Sequence, residues 1–107
     1  MIGILNIKDL KTLYTNKAVI LTEHFLERIE KRNIKLLDIK NAVMNGEIIE
    51  QYPDDYPHPS CLILGNSDTL PLHIVIGSNG DSIWLITAYY PNNDKWEDDF
   101  KTRKVEL

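Results

Sequence analysis

The feature that most constrains the fold is a change in hydrophobic periodicity near Gly46. Before this residue, apolar side chains recur at three- and four-residue spacing, which is typical of amphipathic helices. After it, short runs of alternating or continuous apolar residues are separated by proline, glycine and asparagine, which is typical of β-strands. Helices followed by strands predict an α+β fold, in which the helices pack on one face of a sheet.

The first half of the chain predicts two to three helices and one brief strand. The candidate helices lie over about 4–15, 22–32 and 36–45, and the strand lies over 18–21. Thr22 is well suited to cap the second helix with its hydroxyl group. Gly46 is predicted to end the third helix in a left-handed conformation.

The second half predicts a roughly four-stranded antiparallel sheet, because consecutive strands with short connections usually pair with their neighbours. The candidate strands lie over 47–52, 60–64, 72–76 and 82–90. The 107 residues are enough for one domain with its own core, so we expect a single domain over residues 1–107.

Composition excludes several classes of protein and site. The apolar content of 43% excludes a disordered chain. Cys61 is the only cysteine, which excludes an internal disulfide and a cysteine-based zinc cage, and we expect it to be a small core residue. The chain contains no apolar run of about 18 residues and no secretion signal, so we expect a cytoplasmic protein outside the membrane. No motif indicates a metal or another cofactor.

Charge is distributed unevenly, and the formal net charge is −4. Residues 1–35 contain seven basic and four acidic residues, residues 36–99 contain two and eleven, and residues 100–107 contain three and one. Basic character therefore lies at the two ends of the chain. An anion would be attracted only if the fold brings these ends together.

The predicted third and fourth strands of the sheet carry the side chains best suited to acid–base chemistry. Alternation places His73 on the face opposite Leu72, and Thr87 and Tyr89 are expected beside it if they share that face. Imidazole and phenol groups can transfer the protons needed to cleave a phosphodiester next to a 2′-hydroxyl. Both side chains also fit an ordinary role as partly buried strand residues.

Several cations could bind the phosphate in such a reaction. His24, Arg28 and Arg32 lie four residues apart on the second helix, so they share one line of its surface. Lys95 and Arg103 follow the last strand. Arginine binds phosphate without a metal. The helix residues could instead pair with neighbouring glutamates in solvent.

A long ordered string of residues resembles a small bacterial family of unknown function that is grouped with the RelE/ParE toxin superfamily, with BrnT-like members nearest. The string covers about residues 18–104 and comprises Thr22-Glu23-His24, Arg28, Arg32-Asn33-Ile34, Asp38-Ile39, residues 45–52, 62–65 and 72–76, Ile86-Thr87-Ala88-Tyr89, and Trp96. The resemblance implies helices on one side of a twisted antiparallel sheet whose other side is the active surface. It also implies a cytoplasmic type II toxin that cleaves mRNA without a metal and is neutralised by an antitoxin protein.

Two hypotheses follow for function. The first is a toxin-like endoribonuclease that acts on mRNA. Its catalytic candidates are His73, Tyr89 and His24, and its substrate-binding candidates are Arg28, Arg32, Thr87, Lys95 and Arg103. The second is a non-catalytic binding module that kept the fold and pairs with an antitoxin-like protein, which the acidic net charge favours because RNA affinity depends on phosphate attraction. A homodimer is a further candidate assembly.

Overall fold

A computed structural model describes residues 3–68 and 70–105. It contains three α-helices and five β-strands, so the α+β class predicted from the sequence is confirmed. The helices are α1 (Ile7–Thr15), α2 (Glu23–Lys31) and α3 (Leu36–Asn45); the strands are β1 (Val19–Ile20), β2 (Glu47–Tyr52), β3 (Ser60–Ser67), β4 (Leu70–Ser78) and β5 (Ile83–Tyr89).

Side chains that accept backbone hydrogen bonds determine where the first two helices begin. Asn6 caps α1 by accepting from the backbone N–H groups of Lys8 and Asp9, so this helix begins later than the apolar spacing predicted. Thr22 accepts from the N–H of Phe25, which confirms it as the N-cap of α2.

The prediction of a left-handed Gly46 was wrong, because this residue is extended, with φ −89° and ψ 171°. Glycine is required there by close packing. A Cβ atom on Gly46 would lie 2.5 Å from the carbonyl oxygen of Ala42.

The sheet has five strands in the order β1-β5-β4-β3-β2, and it is mixed, so the prediction of four antiparallel strands was wrong in detail. Strands β2 to β5 pair antiparallel as predicted. The short β1 adds at the edge parallel to β5, with Val19 opposite Ile83 and Ile20 opposite Trp84. None of the helices of the described residues is long and apolar enough to cross a membrane.

The main core lies between the helices and one face of the sheet, which we call the helix face. Fully buried side chains from α2 and α3, such as Phe25 and Ile39, pack there against Ile63, Ile74 and Leu85 from the strands. Cys61 belongs to this core as predicted, and burial raises the pKa of its thiol to about 12. The opposite face, which we call the second face, carries the candidate site.

Candidate functional site

His73 lies at the centre of the second face, between Leu64 of β3 and Tyr89 of β5. Its side chain is completely buried. The ring nitrogen Nε2 lies 2.6 Å from the carbonyl oxygen of Phe100. Because a carbonyl oxygen can only accept, Nε2 carries the hydrogen and Nδ1 has a free lone pair in the neutral ring. The Tyr89 hydroxyl, 3.2 Å from Nδ1, donates its proton to that lone pair.

Burial determines the protonation of this pair. Desolvation lowers the pKa of His73, which favours the neutral imidazole at pH 7. Desolvation also raises the pKa of Tyr89, while the nearby guanidinium groups of Arg103 and Arg32 oppose that change. The phenol therefore remains protonated, and the neutral imidazole keeps an unprotonated Nδ1 within hydrogen-bond distance of it. The hydrogen bond between them provides a path along which a proton could pass from Tyr89 to His73.

Residues 96–103, which we call the C-terminal segment, cover His73 on the second face. Trp96 and Arg103 face each other across an antiparallel bridge, and the Asp99 carboxylate closes the turn by accepting from the N–H groups of Lys101 and Thr102. The Trp96 ring is buried edge-on against the His73 ring, with 4.6 Å between the ring centroids. The segment thus shields the imidazole from solvent.

Two ion pairs join the C-terminal segment to β2. Lys101 Nζ lies 3.0 Å from Glu47 Oε1. Arg103 binds Glu50 with both Nε, at 2.7 Å, and Nη2, at 3.0 Å, and its guanidinium lies over the Trp96 ring. The hydrogen bonds from Arg103 lower the pKa of Glu50, so this carboxylate stays charged. Arg103 is therefore positioned rigidly, and its charge is partly neutralised.

Beside this segment, a cleft of about 370 Å³ opens at the end of β5. Its lining comprises Tyr89, Tyr90, Pro91, Asn92, Lys95, Trp96 and Arg103. The cleft brings together three residues predicted from the sequence, Tyr89, Lys95 and Arg103, and it is predominantly polar. His73 lies directly behind Tyr89 and does not line the cleft. We call this site the Tyr89 cleft.

Of the three side chains predicted to share one line of α2, Arg32 is bonded to β5, and it lies outside the lining of the Tyr89 cleft. Arg32 Nη1 donates to Thr87 Oγ1 at 3.0 Å and to the Ala88 carbonyl at 2.8 Å, which holds α2 against the edge of β5. Arg28 and His24 lie one and two turns earlier on α2. Among the described residues, the lining of the Tyr89 cleft includes neither of them. Arg32 is therefore hydrogen-bonded to Thr87, whereas His24 is not part of the cleft that Tyr89 lines.

Sequence reasoning missed two parts of this site. Glu50 is one of many surface acids in the sequence, and the hydrogen bond to Phe100 uses a backbone oxygen, so neither gave a signal. Trp96, a residue of the family string, is buried against the His73 ring. Within residues 3–68 and 70–105, no group of three or more His, Cys, Asp or Glu side chains is arranged to hold a metal ion.

The buried imidazole predicts a pH dependence of stability. We expect the melting temperature, followed by circular dichroism, to fall as the pH drops below about 6.5, the ordinary pKa of histidine. In that range the unfolded His73 takes up a proton, whereas the folded His73, with its lowered pKa, resists protonation. A His73→Gln variant should show a smaller fall between about pH 7 and 5. An equal fall in both proteins would contradict this prediction.

Comparison with known proteins leads to one family. No curated protein and no solved structure matches the chain. A family described as a domain of unknown function (DUF4258) matches residues 21–90, from the start of α2 to the end of β5. That match includes His73 and Tyr89 and ends before the C-terminal segment. It carries no link to RelE/ParE or BrnT-like toxins. The chain belongs to the DUF4258 family of domains of unknown function.

Proposed function

We propose that this protein is a toxin-like, metal-independent endoribonuclease that cleaves mRNA in the Tyr89 cleft. The observation that supports this proposal most directly is the hydrogen bond from the Tyr89 hydroxyl to the buried Nδ1 of His73, at 3.2 Å. Tyr89 reaches the cleft, and His73 is held in one tautomer by the Phe100 carbonyl. A reactive hydroxyl, a base and a group that orients the base form a recurrent catalytic arrangement.

In the proposed reaction, Tyr89 takes the proton of a ribose 2′-hydroxyl and passes its own proton to His73 Nδ1. The 2′-oxygen then bonds to phosphorus, the bond from phosphorus to the 5′-oxygen breaks, and a water molecule at the cleft mouth protonates the leaving oxygen. The hydroxide that remains takes the proton back from His73 through Tyr89, which restores the neutral imidazole and the phenol. The products are a 2′,3′-cyclic phosphate and a 5′-hydroxyl. Tyr89 is the catalytic residue in this scheme, and His73 acts through it.

Lys95 and Arg103 would bind the phosphate. Both line the cleft beside Tyr89, and the Arg103 side chain is 55% exposed despite its pairing with Glu50. Cations placed where negative charge develops stabilise the transition state. Because the whole chain carries a net charge of −4, we expect RNA binding to be weak and confined to this cleft.

The direct test is to incubate the purified protein with a short labelled RNA in the presence of a chelator. We expect cleavage products with a cyclic phosphate end, and no cleavage of the same sequence carrying a 2′-deoxyribose at every position. Expression in a bacterial host should arrest growth and fragment mRNA. Intact RNA and normal growth, with folded protein present, would overturn the proposal.

A second candidate function is a binding module that pairs with an antitoxin-like protein. The specific observation in its favour is that His73 is completely buried and Arg103 is held by both oxygens of Glu50, which is also what a purely structural network would look like. Co-expression with a protein encoded alongside should then yield a stable complex, and the purified chain should leave RNA intact.

A further inference from the structure

A second cleft lies on the same sheet face as the Tyr89 cleft, at the opposite end of β4. Its volume is about 470 Å³, and its lining comprises Asp55, Tyr56, Pro57, His58, Gly77, Trp84 and Ile86. We call it the Trp84 cleft. In the sheet register Gly77 lies opposite Trp84, four residues along β4 from His73, so about 13 Å separates the two sites. Binding in the Trp84 cleft therefore does not depend on RNA cleavage in the Tyr89 cleft.

The Trp84 cleft has aromatic and aliphatic walls over a floor without a side chain. The His58 ring stacks on Trp84 with 4.6 Å between ring centroids. Tyr56 is 90% exposed at the rim, and Ile86 is 40% exposed. A Cβ atom on Gly77 would lie 3.3 Å from the Ile86 side chain, so glycine keeps this floor open. Large apolar and aromatic side chains that remain accessible in a concave site are typical of a binding pocket.

The charge around the Trp84 cleft is negative. Among the described residues that line it, Asp55 is the only aspartate, glutamate, lysine or arginine. Its Oδ1 accepts from the N–H of Tyr56 at 2.9 Å and its Oδ2 accepts from the hydroxyl of Ser60, which fixes the carboxylate at the cleft wall. Each carboxylate oxygen can accept more than one hydrogen bond, so Asp55 can still bind a ligand. Asp54 adds a second negative charge next to it in the chain.

These features select among ligand classes. A phosphate or a nucleic-acid backbone would be repelled by Asp55 and Asp54. A positively charged planar group would gain from the exposed aromatic face of Tyr56 and from the carboxylate. An aliphatic stem would pack on Pro57 and Ile86. The side chain that combines a planar cation with an aliphatic stem is arginine.

We propose that the Trp84 cleft binds an arginine side chain presented by a basic segment of a partner protein. The guanidinium group lies against the Tyr56 ring, near Trp84, and forms hydrogen bonds with Asp55, and the aliphatic stem covers Ile86. The chain would thereby recognise a basic partner through its acidic middle region, at a site separate from the Tyr89 cleft.

The test uses nuclear magnetic resonance on the whole ¹⁵N-labelled chain, whose two tryptophans, Trp84 and Trp96, give two indole N–H signals. The probe is a blocked Gly-Arg-Gly peptide, and the control probe replaces arginine with citrulline, its neutral isostere. We expect the arginine peptide to shift the Trp84 signal with millimolar affinity and to leave the buried Trp96 signal in place. The citrulline peptide should bind about tenfold more weakly or not at all.

Variants of the protein distinguish binding in the Trp84 cleft from attraction of the peptide by net charge. Asp55→Asn should weaken arginine binding about tenfold. Gly77→Val should abolish it by filling the floor of the cleft. Asp81→Asn removes the same charge outside the lining and should leave binding unchanged. Melting temperatures establish that each variant is folded, and should Asp55→Asn not fold, Gly77→Val and the citrulline peptide still decide the question.

Three results would overturn the proposal. The first is an equal response to the arginine and citrulline peptides. The second is a larger shift of the Trp84 signal with adenosine monophosphate, which would identify a nucleobase site. The third is an equal loss of affinity in Asp55→Asn and Asp81→Asn, which would show that net charge alone attracts the peptide.

Discussion

The Tyr89→Phe variant is expected to cleave RNA about 100- to 10,000-fold more slowly than the unmodified protein, which is the range for loss of a general acid–base group. The substitution removes only the hydroxyl that donates to His73 Nδ1, and the ring stays in place. Single-turnover rates measured with excess protein over a labelled RNA test this, because they report the chemical step rather than product release. RNA affinity should change little, since Lys95 and Arg103 remain.

Tyr14→Phe is the matched control for this experiment. Tyr14 is a half-buried residue of α1 that does not line the Tyr89 cleft, so losing its hydroxyl should leave the cleavage rate unchanged. Equal rates for Tyr89→Phe and the unmodified protein would remove Tyr89 from the mechanism. A fall in affinity without a fall in rate would make Tyr89 a binding residue instead.

The largest expected effect on stability comes from Gly65, in β3. A Cβ atom on this residue would lie 1.9 Å from the carbonyl oxygen of Ala42, on the backbone of α3, and backbone cannot move aside as a flexible side chain can. We expect Gly65→Ala to lower the free energy of unfolding by about 3 kcal/mol, at the upper end of the range for overpacked cores. The loss corresponds to a fall in melting temperature of more than about 10 °C.

Gly77→Ala is the control for Gly65→Ala, because it adds the same methyl group to the same sheet. Its nearest neighbour would be the end of the Ile86 side chain at 3.3 Å, which can shift by a few tenths of an ångström. Chemical denaturation followed by fluorescence should therefore show a change of less than about 1 kcal/mol for Gly77→Ala. Similar losses in the two variants would contradict the close approach of α3 to β3.

The parts of the fold that local patterns specify were predictable from the sequence. Helix α3 begins and ends where its apolar spacing predicted, and Thr22 caps α2 through a contact only three residues away. The strand β2 also has its predicted bounds. The parallel pairing of β1 was not predictable, because Val19 pairs with Ile83 across a long stretch of chain and nothing in two residues identifies a distant partner.

The same division applies to the candidate site. Strand alternation predicted that His73 lies on the face away from the helix core. The antiparallel pairing of β4 with β5 places Tyr89 directly opposite it. The sequence did not indicate that the C-terminal segment would cover His73, since this depends on pairs such as Arg103–Glu50 and Lys101–Glu47 between distant parts of the chain. The C-terminal segment therefore covers part of the sheet surface that was predicted to be active. Of the His73–Tyr89 pair, only Tyr89 reaches a cleft.

Local sequence patterns specify the α+β class, the order of most elements and the residue types available for chemistry, because periodicity and capping act over a few neighbouring residues. The three-dimensional arrangement of the chain was needed to place Tyr89, Lys95 and Arg103 in one cleft and His24 outside its lining. It also placed His73 in a buried position behind Tyr89, where desolvation lowers its pKa. The reason is that burial and charge pairing depend on distances between residues far apart in the chain, which no local pattern encodes.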